Sequence, residues 1–386
     1  MTKRLVLVLV VSLFFGLGVA LSLAEGQRAT SVEAAINAPQ QNSADASNDV
    51  NEQIKLLESN DPSARSQAAC KLGSMGQRAV SAIPALIKLL GDDTPAQRFY
   101  CEKSGSWRGP QTNLEKSSPG EQAATALVLI GEASVGPLVA AAKSDDWRVR
   151  ANATWALGVL KDPRALETVL DAVRDQDWHV REKAAWSLGL KWDKRVPEAL
   201  VGLLKDNVWQ VRSKAAWALA LKGDAHSVEP LIDALKDENF NVRHQAVWAL
   251  GLKGDSRAVD PLIAMLQDEN KHVRSQAAWA LGLKGNRTAV EPLIVALQDE
   301  WARVRQQSAW ALGLKGDSRA VTALNAALTD AEEPVRKTAA WALRLIRIKS
   351  GERRPDDLRK LDEDVDVDVD NDEEVDVNVE VDVRRH

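Results

Sequence analysis

A strict 31-residue period constrains this chain more than any other feature. Seven Val-Arg pairs recur at that interval, from Val149-Arg150 to Val335-Arg336, and seven tryptophans keep the same spacing. A fixed period of roughly 20–50 residues is the signature of stacked supersecondary units, each of which buries its apolar face against its neighbours. One elongated repeat protein is therefore a better prediction for 386 residues than two ordinary domains. The seven tryptophans are Trp155, Trp186, Trp217, Trp248, Trp279, Trp310 and Trp341.

Each repeat is predicted to be a pair of antiparallel helices. The first half of residues 225–252 places apolar residues at helical spacing, with Pro230 in the first turn, where a missing N–H costs little. Polar residues at 237–239 interrupt this pattern and supply capping side chains for the next helix. The second half carries another apolar stripe and ends near Gly254, in the usual stop position.

The recurring motif VRxxAAWALGLKGDxRAVxPLIxAL, from about Trp147 to Ala342, resembles the HEAT repeat family. It is most similar to the bacterial branch with phycobiliprotein-lyase-type HEAT-like repeats. The resemblance and the count of periods predict an all-α fold: a right-handed α-solenoid of about nine two-helix repeats, with disordered termini. The resemblance also implies an internal polar ladder that holds the repeats together. Spacing pairs Asp175 with Arg181, Asp206 with Arg212, Asp237 with Arg243, Asp268 with Arg274, Asp299 with Arg305, and Asp330 with Arg336.

The two ends of the chain differ from the repeats in composition. Lys3 and Arg4 precede an apolar run from Leu5 to Leu23, which indicates an export signal or, as the alternative, an uncleaved membrane anchor. A Pro-, Gly- and Ser-containing insertion interrupts the early, degenerate repeats. The predicted segments are a signal peptide or anchor at 1–24, a flexible linker at 25–48, the solenoid at 49–351 with its insertion at 92–120, and an acidic disordered tail at 352–386.

Cys70 and Cys101 are the two cysteines of the chain. Cys70 takes the Trp position of the first repeat, and Cys101 lies in the insertion. In an exported chain an even number of cysteines favours a disulfide, so this pair is the disulfide candidate. Two free thiols are the alternative.

The periodic tryptophans are predicted to lie away from the core stripe of each second helix. If the Val of the Val-Arg pair is set at 0° on a helical wheel, the Trp six residues later falls near about 240°. The family resemblance implies that second helices line the concave surface, where seven tryptophans would form a trough for a protein or peptide segment. Aligned apolar area and Trp are both typical of binding surfaces. The alternative is that each Trp covers the seam between neighbouring repeats.

A second aromatic row precedes the Arg of the middle repeats by three residues. It comprises Trp147, Trp178, Trp209 and Phe240, and it gives way to Lys271, Ala302 and Glu333 in later repeats. Because the row is restricted to some repeats, a scaffold role explains it less easily than a binding role does. The turns that enter each repeat are basic and the opposite turns are acidic, which would orient a charged partner.

The acidic tail carries 12 Asp or Glu between residues 362 and 382, largely in Asp-Val alternation. So many like charges oppose strand pairing, and disorder is the expected state. Weak Ca²⁺ binding by the clustered carboxylates is the alternative, although the spacing of a Ca²⁺ loop is missing.

Motifs of the enzymes that share such repeats are missing from the sequence. An exported chain would not meet the pigment proteins on which bilin lyases act. None of the five histidines precedes a Glu, as the di-iron ligands of deoxyhypusine hydroxylase require, and there is no HExxH zinc motif. We therefore expect no catalytic residue, no metal site in the solenoid and no cofactor.

The function predicted from the sequence is a non-catalytic protein-protein interaction scaffold, exported to the periplasm or cell envelope. Its partner would be a protein or peptide that contacts the two aromatic rows. Nucleic acid is not expected, because the tail is acidic and the remainder nearly neutral, and no membrane contact is expected beyond an N-terminal anchor. The alternatives are a purely architectural spacer in an envelope assembly, or an accessory subunit of an envelope enzyme (lyase-like or peptidase-associated).

Overall fold

The computed structural model of the protein describes residues 43–97 and 116–351. The predicted signal peptide, most of the predicted linker, the central part of the insertion and the acidic tail lie outside these residues. The disorder of the two termini therefore stays a prediction. Helix α1 begins at Ser43, inside the segment that composition assigned to the linker.

The described residues form an all-α solenoid of nine helix pairs, as predicted. Each pair has a first helix and a longer or equal second helix, and short 3₁₀ turns such as Ala225–Ser227 precede several first helices. The pairs are α1 Ser43–Leu56 and α2 Pro62–Met75; the 3₁₀ segment Gly76–Ala82 and α3 Ile83–Leu89 with α4 Pro119–Ile130; α5 Val135–Ala141 and α6 Trp147–Val159; α7 Arg164–Asp171 and α8 Trp178–Leu188; α9 Val196–Leu203 and α10 Trp209–Lys222; α11 Val228–Ala234 and α12 Phe240–Lys253; α13 Val259–Ala264 and α14 Lys271–Lys284; α15 Val290–Ala296 and α16 Ala302–Lys315; α17 Val321–Ala327 and α18 Glu333–Ser350.

Local sequence signals explain where the second helices begin. Asp177, Asn239 and Asn270 each accept a 2.9 Å hydrogen bond from the backbone N–H two residues later. These bonds satisfy N–H groups that have no partner within the helix. The polar residues between the two helices of a repeat are therefore helix caps, as the sequence indicated.

One continuous apolar core runs through the described solenoid, from Val50 to Ile346. The predicted stripe of the second helix is fully buried, as Val242, Ala246 and Leu250 illustrate. Small alanines at these positions allow the helices to approach closely. Contacts with the repeats on either side therefore stabilise each repeat.

Arginines of the second helices form a ladder that crosses from repeat to repeat. Arg243 donates to both carboxylate oxygens of Asp268, which lies 25 residues later, at 2.8 and 2.9 Å. Its Nη1 also donates to the backbone carbonyl of Asp237, the residue six positions earlier. The predicted pairing of each Arg with the Asp side chain of its own repeat is thus wrong. The Arg pairs with the Asp side chain of the next repeat and contacts the Asp of its own repeat through the backbone carbonyl. The inter-repeat rungs are Arg65–Asp92, Arg150–Asp175, Arg181–Asp206, Arg212–Asp237, Arg243–Asp268, Arg274–Asp299 and Arg305–Asp330.

The beginning and the end of the insertion pair with each other as a short two-stranded ribbon. Strand β1, Ala96–Gln97, pairs antiparallel with β2, Lys116–Ser117. Gly120 then donates its N–H to the carbonyl of Asp92 at 2.9 Å, and a Cβ on Gly120 would lie 2.6 Å from the Leu90 carbonyl oxygen. This glycine is needed for the close return of the chain to the solenoid.

Candidate protein-binding surface

The seven periodic tryptophans all lie on second helices. Six of them are half-buried and Trp279 is buried, with 5% of its surface exposed. We call the surface formed by these residues and the side chains beside them the second-helix face. The tryptophans therefore contribute part of each indole to this face rather than whole exposed rings.

Four of the seven indoles pack on a glycine of the preceding repeat. A Cβ built on Gly189 would lie 2.8 Å from Cζ3 of Trp217, and one on Gly313 would lie 2.7 Å from the same atom of Trp341. Gly251 and Gly282 are covered in the same way by Trp279 and Trp310. The tryptophans thus cover the seam between repeats. Near the start of the row, Trp155 and Trp186 also stack on each other, with centroids 6.1 Å apart.

Charged groups beside the tryptophans are desolvated although part of each stays exposed. Lys214 has 34% of its side chain exposed and lies 4.0 Å from Glu182, with its Nζ 5.6 Å from the Trp217 ring centroid. Burial nevertheless lowers the pKa of Lys214. Burial, together with the nearby His272, lowers the pKa of His244 to about 4. The charged forms of both groups are therefore poorly solvated where they lie beside the indoles.

Farther along the second-helix face, the polar positions next to the tryptophans become uncharged. Residues at the two positions after the Arg are a charged Glu182 and Lys183 in one repeat, then Ser213 and Lys214 in the next. The corresponding positions of the three following repeats are His244, Gln245, Ser275, Gln276, Gln306 and Gln307. Ser275 and Gln306 are buried, whereas the partly exposed His244, Gln245, Gln276 and Gln307 can donate to and accept from a peptide backbone.

The second aromatic row lies at the beginning of the second helices. Trp147 and Trp178 both stack on His179, with ring centroids 4.1 and 3.6 Å away, and the guanidinium of Arg148 lies 4.8 Å from the Trp147 ring. Trp209 and Phe240 are half-buried and pack against the core. The structure therefore places all four predicted residues along one edge of the second helices.

His272 and Trp301 extend this row beyond Phe240, where the sequence indicated that it stops. Their rings meet edge to face at 4.9 Å, and Nζ of Lys271 lies 4.8 Å from the Trp301 ring. The sequence pattern did not assign Trp301 to this row, because Trp301 lies one residue before the repeat position of Phe240. It occupies the N-cap position of α16. The signal available in the sequence was that Trp301 is one of three tryptophans outside both periodic positions, with Trp107 and Trp192.

The basic turns between repeats are largely neutralised inside the fold. Nζ of Lys191 donates to the carbonyls of Leu157 and Leu160 at 2.8 and 2.5 Å, so it caps the second helix of the preceding repeat. Lys315 bonds to the Gly285 carbonyl in a similar way. Arginines of these turns pair with carboxylates, as Arg257 does with Asp255 and Glu229. The positive charge of the predicted basic edge is therefore left without a partner only at a few of the described lysines.

Cys70 is buried and its sulfur belongs to a disulfide. Cys101 lies outside the described residues, so the pairing of these two cysteines stays a prediction. Within residues 43–97 and 116–351, no cluster of His, Cys, Asp or Glu is arranged to hold a metal ion. In the same residues no helix is both long and apolar enough to cross a bilayer.

Comparison with known proteins identifies the repeats. A family model described as HEAT repeats matches six overlapping stretches, which together extend from residue 121 to residue 371. Helices α1, α2 and α3 precede these matches, which begin inside α4. The matched stretches are 121–189, 135–220, 196–271, 228–313, 259–344 and 290–371.

Solved structures similar to this chain share its fold. The X-ray structure of YibA from Escherichia coli is 19% identical with a TM-score of 0.52, over 83% of this chain and 99% of that one. Kap95p, in its complex with RanGDP, is 14% identical with a TM-score of 0.52, over 82% of this chain and 47% of that one. Human deoxyhypusine hydroxylase is 25% identical over 72% of this chain and 99% of that one, but its TM-score of 0.30 is too low to bear on function. No curated protein matches the chain.

Proposed function

The chain belongs to the HEAT repeat family, and from that premise we propose that it is a non-catalytic scaffold for protein-protein interaction. It would hold a protein or peptide segment along the second-helix face, which lines the concave side in this family. The observation that carries the proposal is the row of periodic tryptophans along the second helices, six of which leave part of the indole exposed, next to the partly exposed Lys214 and His244. Indole surface and uncharged hydrogen-bonding groups alternate along the same face, which suits an extended segment. The complex of Kap95p with RanGDP is compatible with such a role.

The cellular setting belongs to the same proposal. Lys3, Arg4 and the apolar run that follows support export to the periplasm or cell envelope. The motif supports assignment to the phycobiliprotein-lyase-type branch of HEAT-like repeats. A scaffold exported in this way would act on other proteins of the envelope.

Site-specific photo-crosslinking tests where a partner binds. A photoreactive phenylalanine analogue at Gln245 or Gln276 places the probe on the second-helix face, and one at Val295 places it on first helix α15, where 62% of the residue is exposed. We expect envelope proteins to crosslink from Gln245 and Gln276 but not from Val295. Combined Trp217→Ala and Trp248→Ala should weaken the captured interaction by about 2 kcal/mol or more, roughly 30-fold in Kd.

The packing of the tryptophans on glycines favours one alternative, a purely architectural spacer. If the indoles serve only the seam between repeats, the double variant would lose stability without a specific loss of binding. Thermal unfolding of the variant separates the two effects, because Trp217 contributes to packing over Gly189. Crosslinking that is equally strong from Val295, or missing from the second-helix face, would contradict the scaffold and leave the spacer.

A further inference from the structure

Trp192 is the most exposed large apolar side chain of the described residues, with 87% of its surface accessible. It lies in the turn between helices α8 and α9, at the edge of the solenoid where each second helix ends. Leu190 in the same turn is 39% exposed. Together the two side chains form a small exposed apolar patch, and contiguous apolar patches mark interaction sites.

At the position of Trp192 the following repeats have glycine, and the difference has a structural cause. Gly223, Gly254 and Gly285 donate to the carbonyl of the residue four positions earlier, and a Cβ on any of them would collide with that carbonyl. In the repeat of Trp192 the backbone instead makes i to i−3 bonds, from Leu190 to Ser187 and from Lys191 to Leu188. The chain leaves the helix earlier there, and this makes room for the indole.

A row of three lysines extends from Trp192 along the same edge. Nζ of Lys222 lies 3.2 Å from the centroid of the Trp192 ring. Burial and the charge of Lys253 lower the pKa of Lys222, and the same two causes lower the pKa of Lys284, against the opposing charge of Asp255. Among the described residues, none of these three amines makes an ion pair or hydrogen bond. They differ in this from Lys191 and Lys315, which are bonded to carbonyls.

Like charges that repel each other and make no ion pair are destabilising, and an anionic ligand would relieve the repulsion. Neighbouring repeats are about 8–10 Å apart, the distance between packed helices. An extended chain in the polyproline II conformation advances about 9 Å over three residues. A segment with an acidic residue at every third position would therefore match the lysine row.

We propose that Trp192 and the row Lys222, Lys253 and Lys284 form a docking edge for an acidic, extended segment of a partner protein. An apolar side chain of that segment would pack on Trp192, and its carboxylates would meet the lysines. The carboxylates of Asp224 and Asp255 lie in the same turns. They disfavour a densely charged polyanion such as nucleic acid and tolerate carboxylates that are farther apart. This edge does not depend on the second-helix face.

Fluorescence anisotropy with the full-length chain tests the proposal. The probe is a fluorescein-labelled peptide with Asp at every third position and Leu and Ala between, and the comparison peptide has Asn in place of Asp. Trp192→Gly introduces the residue that the following repeats use, so the fold should tolerate it. We expect it to weaken binding of the Asp peptide about tenfold or more. Lys222→Gln should weaken binding about two- to fivefold and make it less sensitive to salt.

Two control variants change similar groups elsewhere on the surface. Val295→Ala removes another exposed apolar side chain, and Lys236→Gln removes a lysine whose side chain is 77% exposed. Both should bind the Asp peptide as the parent protein does, and circular dichroism checks that all variants are folded. The proposal is overturned by equal affinity of parent and Trp192→Gly, by equal binding of the Asn peptide, or by no binding of the Asp peptide. Tighter binding of a single-stranded oligonucleotide than of the Asp peptide would also overturn it.

Discussion

At the scale of single residues, the periodic tryptophans show what one helical wheel leaves undetermined. The wheel gives the direction of the side chain, away from the core stripe, but not how far the ring reaches toward the next helix. In the structure the six-membered ring of Trp310 covers Gly282 of the preceding repeat. The signal was present in the sequence, because a glycine follows most of these tryptophans by three residues, as Gly282 follows Trp279. It could be interpreted only once the neighbouring helix was in place.

Gly282→Ala should therefore destabilise the solenoid. Its Cβ would overlap the indole of Trp310, and overpacking of a filled interior costs about 1–3 kcal/mol. Urea unfolding followed by circular dichroism gives the change in the free energy of unfolding. Gly202→Ala is the matched control, because nothing lies within 4 Å of a Cβ there. This control should be neutral or stabilising by about 0.5–1 kcal/mol, since alanine is the better helix former. Equal losses in the two variants would contradict the packing described for Trp310.

At the scale of helices, the polar ladder shows what a period leaves undetermined. With a 31-residue repeat, an Asp six residues before one Arg is also 25 residues after the Arg of the preceding repeat. Both pairings recur equally, so spacing cannot choose between them. The structure contains both pairings, made by different groups of the same Asp. The backbone carbonyl of Asp237 accepts from Arg243, while the carboxylate of Asp237 accepts from Arg212. Each Asp thereby joins two repeats.

Removing an inner rung should cost much more than removing the last Arg of the series. Arg243→Met leaves the carboxylate of Asp268 unpaired in a site where only 5% of that side chain is exposed, which should cost about 3–5 kcal/mol. Arg336 donates to the backbone carbonyls of Asp330 and Ala331, and no carboxylate of the described residues pairs with it. Arg336→Met should cost only about 1 kcal/mol.

Urea unfolding of both variants measures the difference between the two positions. Combining Arg243→Met with Asp268→Leu should recover part of the loss, because no buried charge is then left without a partner. If Arg243→Met and Arg336→Met proved equally destabilising, the ladder would not be what joins the repeats.

At the scale of the whole molecule, the period predicted the architecture well and the surfaces less well. The number of helix pairs follows from counting periods, and even the degenerate pair with Cys70 at the Trp position is present. The ribbon of Ala96–Gln97 and Lys116–Ser117 was not predicted, because strands of two residues carry no periodic signal. The exposed turn at Trp192 was also missed, since it depends on a helix that ends earlier than its equivalents. Departures from the period are thus where sequence reasoning failed, and one of them carries the docking edge proposed at Trp192.

A solenoid that is stabilised by neighbour contacts should survive the loss of one complete period. Deleting residues 257–287 removes 31 residues and joins Ser256 to Thr288. Arg243 would then meet Asp299, 25 residues later in the shortened chain, and Gly251 would face Trp310, so that both kinds of inter-repeat contact are restored. We expect unchanged helicity per residue, a lower free energy of unfolding and a smaller m-value, because one repeat and one interface are lost.

Deleting residues 257–272, about half a period, removes first helix α13 and breaks both registers. This variant should lose helicity or aggregate, and equal folding of the two deletions would show that the 31-residue register does not govern the stacking.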